Sequence, residues 1–166
     1  MKKLRILMLC DSMDVGGAET HIATLSGELQ TLGCEVLLSS AEGRLTKGLV
    51  ANGIKFLPLS RSPSSARNLL TVGKELCEII RRHRPDIVHA HTRRTAFLVH
   101  PICKMEAIPL LCTAHAMFAM TPIKNWLSQW GDGTVAVSED IAKHLKECAL
   151  HPPKRIKVIY NGVPRV

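Results

Sequence analysis

The stretch from Leu4 to Leu32 narrows what this chain can fold into more than any other. Leu4-Arg5-Ile6-Leu7-Met8-Leu9-Cys10 is a short, almost unbroken apolar run, the pattern of a strand buried on both faces of a parallel sheet. A polar loop follows from Asp11 and ends in Gly16-Gly17. Ala18, Ile22, Leu25, Leu29 and Leu32 then recur every three or four residues, the stripe of a helix packed on that sheet. Gly33 is its stop. Open α/β sheets bind ligands outside the carboxyl ends of their strands, so the glycine pair sits where a site is expected.

The alternation continues along the chain. Cys34 to Ser39 reads as a second strand, Arg44 to Asn52 as a short helix closed by Gly53, and Ile54 to Leu59 as a third strand. Pro58 lacks a ladder donor and places that strand at an edge. A serine-rich loop from Ser60 to Ser65 leads to a long helix with Leu69, Leu70, Gly73, Leu76, Cys77 and Ile80 as its inner stripe. Asp86 to His91 is a fourth strand, and Thr92 caps a helix running to about Met105. Pro109 to His115 is a fifth strand; Thr121-Pro122 opens a helix with Ile123, Trp126, Leu127 and Trp130 inward. Gly133 to Val137 is a sixth strand. Ser138 caps a helix burying Ile141, Leu145 and Cys148, with Glu139 and Asp140 in the first turn, where the helix dipole favours acids. Arg155 to Tyr160 closes the series. Strands alternating with helices imply a parallel sheet with right-handed crossovers.

A chain of 166 residues reads as one domain, able to bury ~70% of its unfolded surface. Its formal charge of +8 favours phosphate-bearing ligands, nucleic acid or an anionic membrane surface, although most of these cations also serve as ordinary solvated surface. No run is long enough to span a bilayer. Lys2 and Lys3 precede an apolar run, but it breaks at Asp11 without a small-residue cleavage site, so a signal peptide is rejected. The six cysteines have no CxxC spacing and read as reduced core thiols of a cytosolic protein.

Gly16-Gly17 ahead of a helix offers free backbone N–H groups and the positive end of a dipole, a seat for phosphate or another oxyanion. Neither a GxGxxG fingerprint nor a GxxxxGK[ST] loop is present. Glu42 lies about where a dehydrogenase places its ribose-binding carboxylate, which keeps a nucleotide-dependent oxidoreductase as an alternative. His89 and His91 share parity and point to one face of the fourth strand. His91 and His115 lie toward the carboxyl ends, where a histidine can bond ligand hydroxyls or take up a proton; His89 reads as a satisfied structural residue. The three histidines have no acidic ligand and no HExxH pattern beside them, so the spacing gives zinc little support. Trp126 and Trp130 read as core.

The run Ile6 to Leu9 through Gly16-Gly17-Ala18-Glu19, then Asp86 to His91, Thr113-Ala114-His115, Val137-Ser138 and Val158-Ile159-Tyr160-Asn161-Gly162-Val163, taken in that order, resembles the N-terminal, acceptor-binding domain of glycosyltransferase family 4. The resemblance implies one half of a GT-B fold: a Rossmann-like three-layer sandwich around a mostly parallel sheet of about seven strands, over residues 4–160. Residues 161–166 would begin an interdomain linker, with the C-terminal donor-binding domain and its paired glutamates absent. It implies retaining, metal-independent transfer from a nucleotide-sugar to a polysaccharide, glycolipid or similar glycoconjugate, with no cofactor and no nucleic acid partner. His115 would be the catalytic residue, contacting the donor sugar near the reacting carbon. Gly16, Gly17, Glu19, His91, Ser138 and Asn161 would bind substrate. The chain would be inactive alone, cytoplasmic and peripheral on the cytoplasmic membrane face. The alternative in another class is a free-standing, non-catalytic acceptor-binding module that pairs with a separate donor-binding partner. Two loops, Asp11 to Gly17 and Ala116 to Thr121, are expected to be mobile, the second to meet lipid or the missing domain.

Overall fold

The computed structural model describes residues 3–118, 130–148 and 153–162. Its elements are β1 (Arg5–Ser12), α1 (Gly17–Thr31), β2 (Glu35–Ala41), α2 (Thr46–Ala51), β3 (Lys55–Pro58), α3 (Leu69–His83), β4 (Ile87–Ala90), α4 (Arg93–Met105), β5 (Leu110–Ala114), β6 (Gly133–Ala136), α5 (Glu139–Cys148) and β7 (Ile156–Val158). The helix expected after Thr121 falls on residues outside those described, apart from Trp130, which is buried.

The seven strands form one sheet in the order β3-β2-β1-β4-β5-β6-β7, and every pairing is parallel. This is the expected Rossmann-like α/β fold. β1 explains why its sequence is apolar at nearly every position: it is central, and its alternate side chains enter two separate cores. Ile6, Met8 and Cys10 pack with Ile22 of α1 and Leu49 of α2. Leu7 and Leu9 pack with α3, α4 and α5 through Leu76, Ile80, Val99, Ala142 and Leu145. The chain grows outward from β1 in both directions, and right-handed crossovers then put the two helix sets on opposite faces.

Two stripes differ in detail from the sequence reading. Leu32 is 79% exposed, because it is the C-cap of α1, where the chain leaves the helical path. In α3 the buried row is Val72, Leu76 and Ile80, and Leu70 is 83% exposed. The row follows i, i+4 spacing from Val72, and it includes the expected Leu76 and Ile80. Pro58 does lie in an edge strand. Cys10, Cys34, Cys77, Cys103 and Cys112 are thiols outside any disulfide, and burial pushes the thiols of Cys10, Cys103 and Cys112 up to about 12. No described helix is long and apolar enough to cross a membrane.

Candidate functional site

β1 and β4 are neighbours, yet β1 runs on to β2 on the other side. The strand order therefore reverses between them, the place where open α/β sheets bind ligands. Three segments meet there: the β1–α1 loop, the β4–α4 turn and the residues after β5.

The β1–α1 loop is tied down at Asp11 and Met13, while Asp14 and Val15 are exposed. Thr92 Oγ1 donates to Asp11 Oδ1 at 2.5 Å, and Arg94 Nη1 donates to Asp11 Oδ2 at 3.0 Å. Thr92 is the N-cap of α4, as its position before the helix predicts, and its oxygen accepts from Thr95 N–H. Met13 is fully buried. Its N–H donates to the Ala41 carbonyl, and its own carbonyl accepts from Leu45 N–H. Gly43 permits that contact, since a Cβ there would overlap the carbonyl group of Met13.

Gly16 is the N-cap of α1 in an extended conformation, without a side-chain cap. Glu19 folds back over Gly16, so that a Cβ on Gly16 would run into its carboxylate. Gly17 is the first helical residue, exposed, with nothing within 4 Å of where a Cβ would stand. The glycine pair thus opens the helix start to an approaching ligand at Gly17, while Glu19 guards Gly16.

His91 follows β4 and is 3% exposed. Its Nδ1 lies 3.2 Å from Nε2 of His115, the residue following β5, and the two rings are stacked with centroids 5.5 Å apart. His21 reaches over from α1, its ring centroid 5.8 Å from that of His91 and 5.1 Å from that of His115. Burial holds all three below their ordinary value: modestly for His21, to about 4 for His115 and well below normal for His91, where the neighbouring histidines add to the effect. They are neutral rings near pH 7. His89 is structural, as read: its Nε2 lies 2.7 Å from Thr113 Oγ1.

A cleft of about 180 Å³ opens beside His115, lined by His91, Thr92, Arg93, Phe118 and Trp130 among others. Phe118 and Trp130 stack at 5.5 Å, and the Arg93 guanidinium carbon sits 4.2 Å over the Phe118 ring. Of the apolar loop after His115, Phe118 thus packs on its own domain, whereas Met117 is 63% exposed. Ser138 caps α5, its Oγ accepting from Ile141 N–H at 3.3 Å. Asn161 is exposed beyond β7, and Glu42 is likewise exposed. Gly16, Gly17, His91, His115, Ser138 and Asn161 all follow the carboxyl ends of parallel strands, so they share one rim; direct contact joins His91 and His115.

Sequence reasoning missed His21, Asp11 and Gly43. His21 stands four residues after Gly17 and so shares its helix face, a signal present in the sequence. Nothing local marks Asp11 or Gly43, whose partners are remote.

The chain matches the profile of Glycosyltransferase Family 4 over residues 15–165. No curated protein matches it. Among solved structures it is similar to a glycosyltransferase from Rickettsia africae, with 24% identity and a TM-score of 0.78, over 98% of this chain and 44% of that one. It is also similar to HepE from Anabaena, crystallised with UDP and glucose, with 20% identity and a TM-score of 0.79, over 96% and 45%. The lipopolysaccharide outer core galactosyltransferase WaaB, in its apo form, shares 17% identity at a TM-score of 0.70, over 96% and 46%. These likenesses concern the fold, and the chain spans less than half the length of each structure. The profile covers nearly the whole sequence, and on that ground this chain belongs to Glycosyltransferase Family 4.

Proposed function

We propose that this chain is the acceptor side of a retaining, nucleotide-sugar-dependent glycosyltransferase that builds a glycoconjugate. The observation that carries the reading is His115, a neutral, half-buried imidazole facing a cleft lined by His91, Arg93 and Trp130, on the same carboxyl rim as the open helix start at Gly17. The N–H groups of the first α1 turn and the positive helix end suit a sugar-linked diphosphate. HepE, of similar fold, was crystallised with UDP and glucose.

In this reading the acceptor hydroxyl attacks the anomeric carbon from the face the diphosphate leaves. The bond from carbon to phosphate oxygen breaks as the new carbon–oxygen bond forms, and the departing phosphate takes the hydroxyl proton. His115 then orients and polarises the donor sugar, and no protein base is required. A ring whose proton affinity has been lowered to about 4 suits hydrogen bonding better than proton abstraction near pH 7. His91 holds His115 in place. Ser138 and Asn161 line the far part of the rim, and no metal takes part in the transfer.

The remaining machinery belongs to a donor-binding half, reached through residues 161–166 or supplied as a separate chain. The support is the length of the solved relatives, roughly twice the span matched here. The exposed Met117 and the chain's positive charge suit a lipid-linked acceptor at an anionic cytoplasmic membrane surface. The test is transfer of labelled sugar from nucleotide-sugars to glycolipid or polysaccharide acceptors, by this chain alone and with a donor-binding half. Transfer that needs the second half supports the reading; full turnover by this chain alone sinks it.

A further inference from the structure

We infer that His21, His91 and His115 form a binding site for one divalent cation of the zinc class. The three side chains come from α1, the end of β4 and the end of β5. One ring nitrogen from each lies within 4.8 Å of the other two. Two nitrogens on a tetrahedral zinc, each bonded at 2.0–2.1 Å, stand about 3.3 Å apart. His91 Nδ1 and His115 Nε2 have that spacing already, at 3.2 Å. The widest spacing in the set has to close by up to about 1.5 Å on metal binding, and His21 is the half-buried side chain of α1 that completes the three.

The ion would sit on His91 Nδ1, the nitrogen that faces His115; the buried Nε2 of the same ring points away from it and is not part of the site. His89 is not the third ligand, because its Nε2 is engaged with Thr113 Oγ1. A donor set of imidazoles alone favours zinc, cobalt, nickel or copper over magnesium and calcium, which prefer oxygen. Three protein nitrogens leave a fourth position open to water or an anion.

The inference does not depend on the glycosyl-transfer reading, because it concerns binding by these rings alone. An ion seated there takes the nitrogens that the reading gives to substrate, so metal loading opposes sugar transfer.

The test is calorimetric titration of the chelator-treated full chain with zinc at neutral pH. Cobalt serves as a second probe, since four-coordinate cobalt has intense visible bands. One ion per chain at micromolar affinity or tighter is expected, with a four-coordinate cobalt spectrum. His21→Gln should weaken binding by at least about tenfold with unchanged circular dichroism, whereas His100→Gln, on α4 away from the cluster, should bind as the parent does. No saturable uptake up to about millimolar zinc, or equal affinity in the parent and His21→Gln, overturns the proposal. Either result leaves the sugar-transfer assay to be judged separately.

Discussion

Nδ1 of His91 and Nε2 of His115 lie 3.2 Å apart, so one ring donates and the other accepts. The register explains how they meet. β4 and β5 pair in parallel with Ala90 opposite Cys112, and each histidine follows the carboxyl end of its strand. His115 should therefore be sensitive to both its own replacement and its neighbour's. In a transfer assay with the donor-binding half present, His115→Asn is expected to lower turnover by about 100-fold or more while the chain keeps its fold. His91→Asn should lower it less, since it acts by holding His115. Steady-state kinetics with circular dichroism controls check both.

Acid should unfold this protein from the top of the histidine range downward. Burial holds His89 at about 3, His115 at about 4 and His91 well below normal, whereas unfolded histidine titrates near 6.5. As pH falls through 6.5, the unfolded chain takes up protons that the folded chain refuses, and stability drops. The loss continues until pH reaches the folded values. Each fully buried ring contributes about 1.4 kcal/mol per pH unit in that window, and the partly exposed His115 less because solvent screens it. Guanidinium unfolding at pH 7.5 and 5.0 should show a clearly lower midpoint at pH 5.0, and His89→Gln should reduce the difference. Equal midpoints would contradict the burial of these rings.

Two glycines should respond in opposite ways to alanine. Gly43→Ala drives a Cβ into the Met13 carbonyl group, backbone that a side-chain rotation does not relieve. A loss of about 1–3 kcal/mol is expected, read as a lower midpoint in denaturant. Gly17→Ala meets nothing within 4 Å and puts a better helix former in the first turn. Its stability should hold or rise slightly, while affinity for UDP-sugars falls if the diphosphate approaches that helix start.

Thr92→Val removes the α4 cap and the hydroxyl bond to Asp11 together. A loss of about 1–2 kcal/mol is expected. Thr92→Ser keeps the oxygen and should recover most of it, which separates the hydrogen bonds from the lost methyl group. Thermal melts of the two variants settle the matter.

The architecture was legible because the information is local. β1 is apolar at nearly every position because both its faces are covered, and Thr92 announces α4 by standing one residue ahead of it. In α3 the expected Leu76 and Ile80 are buried, while Val72 takes the inner position at the helix start and Leu70 stays exposed, a choice between neighbouring positions that periodicity alone does not make. At the site, strand parity and strand ends located His91 and His115, and a backbone rule suffices for that. His21 joins them only through the packing angle of α1 on the sheet, and Gly43 matters only because a second loop lies against Met13. Such relations are set by tertiary approach, which spacing along one chain does not encode.

The double grip of Thr92 and Arg94 on Asp11 has a mechanical meaning. It ties the segment leading into Gly16 to the start of α4, across the line where the strand order turns back. Neither can swing without the other, so this wall of the cleft behaves as a stationary jaw. Closure over a ligand bound at this rim would have to come from elements other than these two.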